Sequence, residues 1–351
     1  MNRGILFIIG GLGLGNSTRC SAVIDHLKAQ GWEIDVATSA RGLSFFSETH
    51  QARHLVGLKQ ALYVGSKTSI GPVSVLLSAI SFPVIGVLNF WRLFRLIRRL
   101  RPVAIVADSN YSLAPWVLKS CPLISLNNST RVVLCSRKST SIFPSCWAQY
   151  LIEVADSLFQ RAVPDSVIAP WPEKADAGSG KILSIEPIAR EQFRSAAGAS
   201  SGVEKAVVLY SGSGVGLHFH DELMGLGLSV TVIGAQDENP RTLDSSEWVR
   251  GSDVVITSGG CSSISEALAA KKPMIVVPIQ GHAEQNINAL WIEKLGVGLR
   301  SEASDVREAV KRISGCYQDF LTAYERLDFS CNGGRQAANH INELAHSGLS
   351  K

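Results

Sequence analysis

Apolar runs of four to six residues alternate along the chain with longer stretches in which apolar positions recur every three or four residues. GILFII at 4–9 reads as a strand, 17–30 as a helix and EIDVAT at 33–38 as the next strand. VAIVAD at 103–108 follows an arginine-rich helical stretch, and PLISLN at 122–127 follows a short helix. These runs are apolar throughout rather than alternating, so both faces are buried, as in a parallel sheet covered by crossover helices. Between 175 and 203 the composition shifts to Gly, Ser, Ala and charge, with ADAGSGK and AAGASSGVEK as loop-like segments. Beyond it the alternation restarts: KAVVLY, SVTVIG, DVVITS and PMIVVP are strands, helices begin near Ser262, Glu284 and Ser304, and a last helical pattern covers 334–345. There is no short internal repeat. The expected fold class is α/β with two Rossmann-like domains facing each other across a cleft. The expected boundaries are 1–180, 181–330, and a C-terminal helix at 331–351 that can pack back on the first domain.

Composition narrows this little but excludes something. A length of 351 residues fits two domains of roughly 150 to 200 residues. The net charge of +4 is mild, and no basic stripe with interleaved aromatics suggests nucleic acid. The seven cysteines are scattered without CxxC or zinc spacing, which points to reduced thiols in a cytosolic compartment. Arg3 before an apolar run resembles a signal peptide, yet strand, glycine turn and helix start explain the same residues better. From 68 to 91 no residue is charged, a length that suggests a membrane span. Spanning would separate two strands of one sheet, and Pro83, Gly86 and the serines weaken it. Next comes WRLFRLIRRLRP, with Arg92, Arg95 and Arg99 at helical spacing. The region 72–101 is therefore expected either to be an interfacial or cleft-lining segment whose arginines meet a membrane surface peripherally, at roughly one kcal/mol per charge, or to form a core helix with a solvated arginine face.

Ligands of open parallel sheets bind beyond the carboxyl ends of the strands. Four such ends carry candidate chemistry. In the first, residues 10–16 (GGLGLGN), glycines including Gly13 and Gly15 let a ligand approach backbone closely. A tight turn explains them too, and no acidic ribose partner ends the second strand, so a dinucleotide fingerprint is not met. The second is Ser211, Gly212, Ser213 and Gly214 after KAVVLY, suited to a diphosphate or to a crossover turn. The third is the most specific: Ser258, Gly259 and Gly260 turn the chain, and Ser262 and Ser263 open a helix whose free amides favour phosphate. Glu266 follows at i+3 and i+4 on the same face, where a carboxylate can accept ribose hydroxyls. In the fourth, GHAEQNINAL, His282, Glu284, Gln285 and Asn288 gather polar groups suited to a sugar, or to an ordinary helix start.

With these residues in place, the sequence resembles the GT-B glycosyltransferases. It is most similar to the branch holding the peptidoglycan N-acetylglucosaminyltransferase and related UDP-sugar transferases. The likeness extends over nearly the whole chain, strongest at 253–289 and weakest at 42–93. It implies that Glu266 contacts the donor ribose, that 259–263 and Ser211 to Gly214 surround the diphosphate, and that Gln285 and Asn288 match a (D/H)QxxNA element with Glu284 in the first position. It also implies that Arg190, in EPIAR, pairs with phosphate, and that backbone near 248–251 recognises the base. Asn16 departs from the pattern, standing where relatives often carry a histidine base, and an amide takes no proton near neutral pH. Asp108, at the end of VAIVAD, is the best remaining base or else a helix cap. His218 and His220 are weaker choices.

The function so implied is an inverting, metal-independent hexosyl transfer from a nucleotide-diphosphate sugar, UDP-linked, with no cofactor beyond that co-substrate. The acceptor is open, a lipid-linked one at the inner face of a membrane being an option. Two rivals remain: a nucleotide-sugar-binding subunit without catalysis, and a nucleotide-sugar hydrolase or epimerase on the same fold.

Overall fold

The computed structural model describes residues 4–11, 13–60, 72–138, 143–170, 180–194, 202–210, 220–234 and 243–349. In its first unit come β1 (Gly4–Ile9), α1 (Gly15–Ala29), β2 (Glu33–Thr38), α2 (Ala40–Thr49), β3 (His54–Gly57), α3 (Pro72–Leu100), β4 (Ala104–Asp108) and α4 (Ala114–Leu118). There follow β5 (Leu123–Leu126), α5 (Ser129–Lys138), α6 (Phe143–Ala162), β6 (Ser166–Pro170) and β7 (Ile182–Ile185). The strands form one parallel sheet in the order β3-β2-β1-β4-β5-β6-β7.

The unbroken apolar strands have the two-sided burial expected of them. Ile5, Phe7 and Ile9 of β1 pack with Val23, Ile24 and Leu27 of α1 on one face. On the other, Leu6 and Ile8 pack with Leu93, Leu96 and Ile97 of α3. So α3 covers the sheet with its C-terminal half, while Arg92, Arg95, Arg98 and Arg99 point outward. Among the described residues no helix is long and apolar enough to cross a membrane. The middle of α3 nevertheless leaves Val84, Val87, Leu88 and Trp91 exposed.

The second unit contains β8 (Lys205–Leu209), β9 (Ser229–Ile233), α7 (Ser246–Gly251), β10 (Val254–Thr257), α8 (Cys261–Ala269), β11 (Met274–Val276), α9 (Ala283–Leu295) and β12 (Gly298–Arg300). It adds α10 (Val306–Gly315) and α11 (Tyr317–Glu325) before the last helix, α12 (Gly333–Leu349). Its parallel sheet has the order β12-β11-β10-β8-β9. A 3₁₀ turn at Ala303–Asp305 delays α10 by two residues against the start expected near Ser304.

The first sheet reaches past the boundary expected at 180. Parallel pairing from Val167↔Ile182 to Pro170↔Ile185 binds β7 to β6, so the chain crosses to the second sheet only after Ile185. The return crossing lies beside it: Ile188 and Asn332 form an antiparallel bridge, and Gly333 N–H donates to the Pro187 carbonyl at 3.1 Å. From there α12 packs on the first unit, burying Ala337, Ala338, Ile341 and Ala345 in its core. A buried isoleucine such as Ile341 contributes about 1.5–3 kcal/mol, and Trp32 Nε1 adds a bond to Asn342 Oδ1 at 2.8 Å.

Strand order reverses between β1 and β4 in one sheet and between β8 and β10 in the other. Such reversals open a crevice at the carboxyl ends, and here the two crevices face each other.

Candidate active site

A cavity of about 320 Å³ lies between them. On the second unit, Gly259 holds φ at +92°, and a Cβ there would stand 2.8 Å from Val276 Cγ1, so the turn from β10 into α8 requires glycine. That turn brings Ser258, Gly260, Cys261, Ser262 and Ser263 to the cavity wall. No side chain caps α8, which leaves its first amides and positive dipole end for an anion. Asn288 supports the turn from behind, donating to the Gly259 carbonyl at 2.9 Å, and is not part of the wall. Gln285 is part of it and accepts from the Ile279 amide at 2.9 Å.

Arg190 and Glu266, both buried, form an ion pair on this wall. Nε donates to Glu266 Oε1 at 2.8 Å and Nη1 to the Leu243 carbonyl at 3.0 Å. The guanidinium also lies over the Phe193 ring, 4.8 Å from its centroid. Burial raises the Glu266 carboxyl above its usual value, against the opposing pull of Arg190. His282 lines the cavity, and its Nδ1 is buried with no hydrogen-bond partner among the described residues. Burial lowers its pKa, against the opposing charge of Glu284, so the imidazole is neutral at neutral pH.

The first unit closes the cavity with Gly13, Gly15, Asn16, Arg19, Ser109 and Asn128. At the cavity, hydrogen bonds cross between the units from Ser262 Oγ to the Gly15 carbonyl at 2.7 Å and from Asn128 Nδ2 to Glu284 Oε1 at 2.9 Å. Asn16 donates to the Gly10 carbonyl at 3.2 Å and accepts from Arg19 Nη2 at 3.3 Å. Asp108 does not face the cleft as expected for a base. It is 0% exposed and holds Arg19 in a two-point pair, Nε to Oδ2 at 2.9 Å and Nη2 to Oδ1 at 2.6 Å. The Cys20 thiol and Ser109 hydroxyl donate to the same carboxylate at 3.3 and 3.1 Å. Nor does Asp108 cap a helix; it is the anchor of Arg19.

Ser211, Gly212, Ser213, Gly214 and His218 lie outside the described residues, as does the side chain of His220. The stretch 248–251 is not in the cavity wall; Leu243 and Ser245, just before α7, line it with Tyr210, Ile233 and Gly234. Sequence reasoning missed Arg19 and Asn128. A polar pair at the end of PLISLN was the available signal for Asn128, since strand ends carry ligands in such sheets.

A profile of the family described as Glycosyl transferase family 1 matches residues 3–314. An uncharacterized glycosyltransferase of Methanosarcina acetivorans is 25% identical over 325 residues, 84% of each chain. Over 86 residues, 24% of this chain and 21% of the other, the sequence is 36% identical to a Clostridioides difficile protein. That protein is the UDP-N-acetylglucosamine--N-acetylmuramyl-(pentapeptide) pyrophosphoryl-undecaprenol N-acetylglucosamine transferase. In structure, the chain is similar to the Streptomyces sp. SF2575 glycosyltransferase SsfS6 complexed with thymidine diphosphate, with a TM-score of 0.64, 17% identity, and 98% and 99% of the two chains covered.

Proposed function

The chain belongs to glycosyl transferase family 1, with the two-Rossmann-domain GT-B fold, and from that premise we propose that the cavity binds a UDP-linked hexose and that the chain transfers it with inversion. Glycosyl transfer from a nucleotide sugar is the family's activity. In our reading the α8 amides take the diphosphate, Glu266 the ribose, and His282, Glu284 and Gln285 the sugar. Arg190, now shared between Glu266 and the Leu243 carbonyl, turns part of its fork to the phosphates as they gain charge. The leaving group is thus met by amides and a guanidinium, without a metal.

The observation that carries this reading is the buried Arg190–Glu266 pair beside an uncapped helix start in one cavity. One pair thereby offers a cation for phosphate and a carboxylate for hydroxyls. The partial likeness to a UDP-sugar transferase supports the choice of base, and the exposed apolar face of α3 supports an acceptor with an apolar, lipid-like part.

A thermal-shift panel of nucleoside diphosphates and their sugars tests it. A ligand at 100 times its dissociation constant stabilises by about 2.7 kcal/mol. UDP-sugars are expected to give that shift in chelator as well as without it, and a panel with no response anywhere would sink the reading. The rival of a binding subunit without catalysis draws on Asn16, which is no base. Release of UDP in turnover by the isolated chain excludes it.

A further inference from the structure

The cavity holds one cation that neither Glu266 nor Asp108 pairs. Arg41, in the first turn of α2, lines it from the first unit, and its guanidinium makes no hydrogen bond or ion pair among the described residues. Its backbone is nevertheless firmly placed. Ala40 turns the chain out of β2 with φ at +43°, a conformation that an L side chain rarely adopts. The Arg41 amide donates to the Gly11 carbonyl at 3.2 Å, and the Gly42 amide to the Ser39 carbonyl at 3.0 Å. Gly11 lies so close that a Cβ on it would overlap the Ser39 carbonyl. The start of α2 is thus tied to the first glycine loop, and strained turns of this kind cluster at ligand sites.

The charges around Arg41 call for an anion. The first unit's share of the wall holds, among the described residues, two guanidiniums and no carboxylate. Arg19, the other guanidinium, gives Nε and Nη2 to Asp108 and Asn16, while its Nη1 makes no hydrogen bond among the described residues. Arg190 is matched by Glu266 on the second unit. Glu284, the other carboxylate of the wall, accepts from Asn128 instead. The charge of Arg41 is left unmatched.

Position decides which part of a substrate meets that charge. At about 320 Å³ the cavity is at the small end of ligand sites, so the donor alone fills it and a residue lining it is a donor contact. The α8 amides, Arg190 and Glu266, which take the nucleoside diphosphate in our reading, all stand on the second unit. What is left for the opposite wall is the sugar, enclosed where Ser262 meets Gly15 and Asn128 meets Glu284.

We propose that the transferred sugar is a hexuronate and that Arg41 is the residue that selects it, holding the carboxylate carried on C5 of the ring. The assignment rests on the donor cavity being the nucleotide-sugar site. A guanidinium presents two parallel N–H groups that match a planar carboxylate, and Arg19 Nη1 offers a further donor on the same wall. A neutral hexose carries a hydroxymethyl group in that place and leaves the Arg41 fork to water.

The test is calorimetry on the full chain with UDP, UDP-glucose, UDP-galactose and the two matching hexuronates, UDP-glucuronate and UDP-galacturonate, without acceptor. In the wild type at least one hexuronate is expected to bind about tenfold or more tighter than its neutral counterpart. Arg41→Gln is expected to remove that preference while affinity for UDP and the neutral sugars stays within about twofold. Arg41→Lys keeps the charge without the fork and is expected to keep part of the preference. Arg41 is half-buried and held through its backbone, so both variants are expected to keep the wild-type unfolding midpoint. A wild type that binds the neutral sugars as tightly as the hexuronates overturns the proposal and leaves the donor reading standing. So does an Arg41→Gln chain that keeps the preference. Equal losses of UDP and hexuronate affinity in Arg41→Gln overturn it too, and assign Arg41 to the diphosphate. Failure of every UDP compound to bind the wild type is a different result, which removes the donor reading and this assignment with it.

Discussion

Two buried arginine–carboxylate pairs each bring an arginine to the same cavity, one on each unit, and they are built differently. Arg19 and Asp108 meet at two points, and the carboxylate takes two further bonds from Cys20 and Ser109. Arg190 touches Glu266 at one oxygen and spends its other bond on a backbone carbonyl, and Glu266 Oε2 has no hydrogen-bond partner among the described residues. A saturated carboxylate has nothing left to offer a ligand, whereas a half-used one does. Burial is nearly the same in both cases, so the count of satisfied lone pairs separates scaffold from site. The saturated pair supports the first glycine loop through Arg19, which also donates to Asn16.

The sharpest way to break this distinction is Asp108→Ala. It leaves a buried guanidinium without its counter-charge, which costs about 3–5 kcal/mol. The expected result is a large drop in the denaturant midpoint. Retention of wild-type stability with turnover abolished would instead return Asp108 to the role of base. On the other pair, Glu266→Ala is expected to erase the donor-induced stabilisation of about 2.7 kcal/mol at 100 times the dissociation constant. Its cost to the unliganded fold is smaller, because Arg190 keeps the Leu243 carbonyl and the Phe193 ring. Equal destabilisation by the two substitutions, with the UDP response intact in Glu266→Ala, would erase the contrast.

Sequence reasoning reached the half-used pair more readily than the saturated one, for a physical reason. Glu266 follows Ser262 and Ser263 within two helical turns, so local spacing alone places it near the uncapped end of α8. The position of Asp108 was equally local: the carboxyl end of a central strand lies at the crevice. What fills its oxygens comes from α1, 89 residues away, and no local period reports that. The same holds for Asn128 and Glu284, 156 residues apart in the chain. Strand β7 was lost for another cause, since only one of its four residues is fully buried and its signal sinks into the surrounding glycine-rich stretch. Long-range pairing, together with so weakly apolar an edge strand, was the illegible part.

The smallest effect sharpens the contrast from within the first loop. Asn16 stands between the Gly10 carbonyl and Arg19, with bonds of 3.2 and 3.3 Å that are long for their kind. If Asp108 alone fixes Arg19, then Asn16→Ala removes only two weak, partly solvated bonds and costs about 1 kcal/mol. An amide takes no proton near neutral pH, so no proton route is lost, and the pH-rate profile is expected to keep its shape while the rate changes little. A histidine at the same position is expected to add no base-like limb, because its ring would have to compete with a guanidinium already held by the carboxylate. A tenfold gain in rate from Asn16→His, with a new limb near the histidine range, would mean that the loop still presents a position from which a base can reach the acceptor. That result would place the proton acceptor in the first glycine loop.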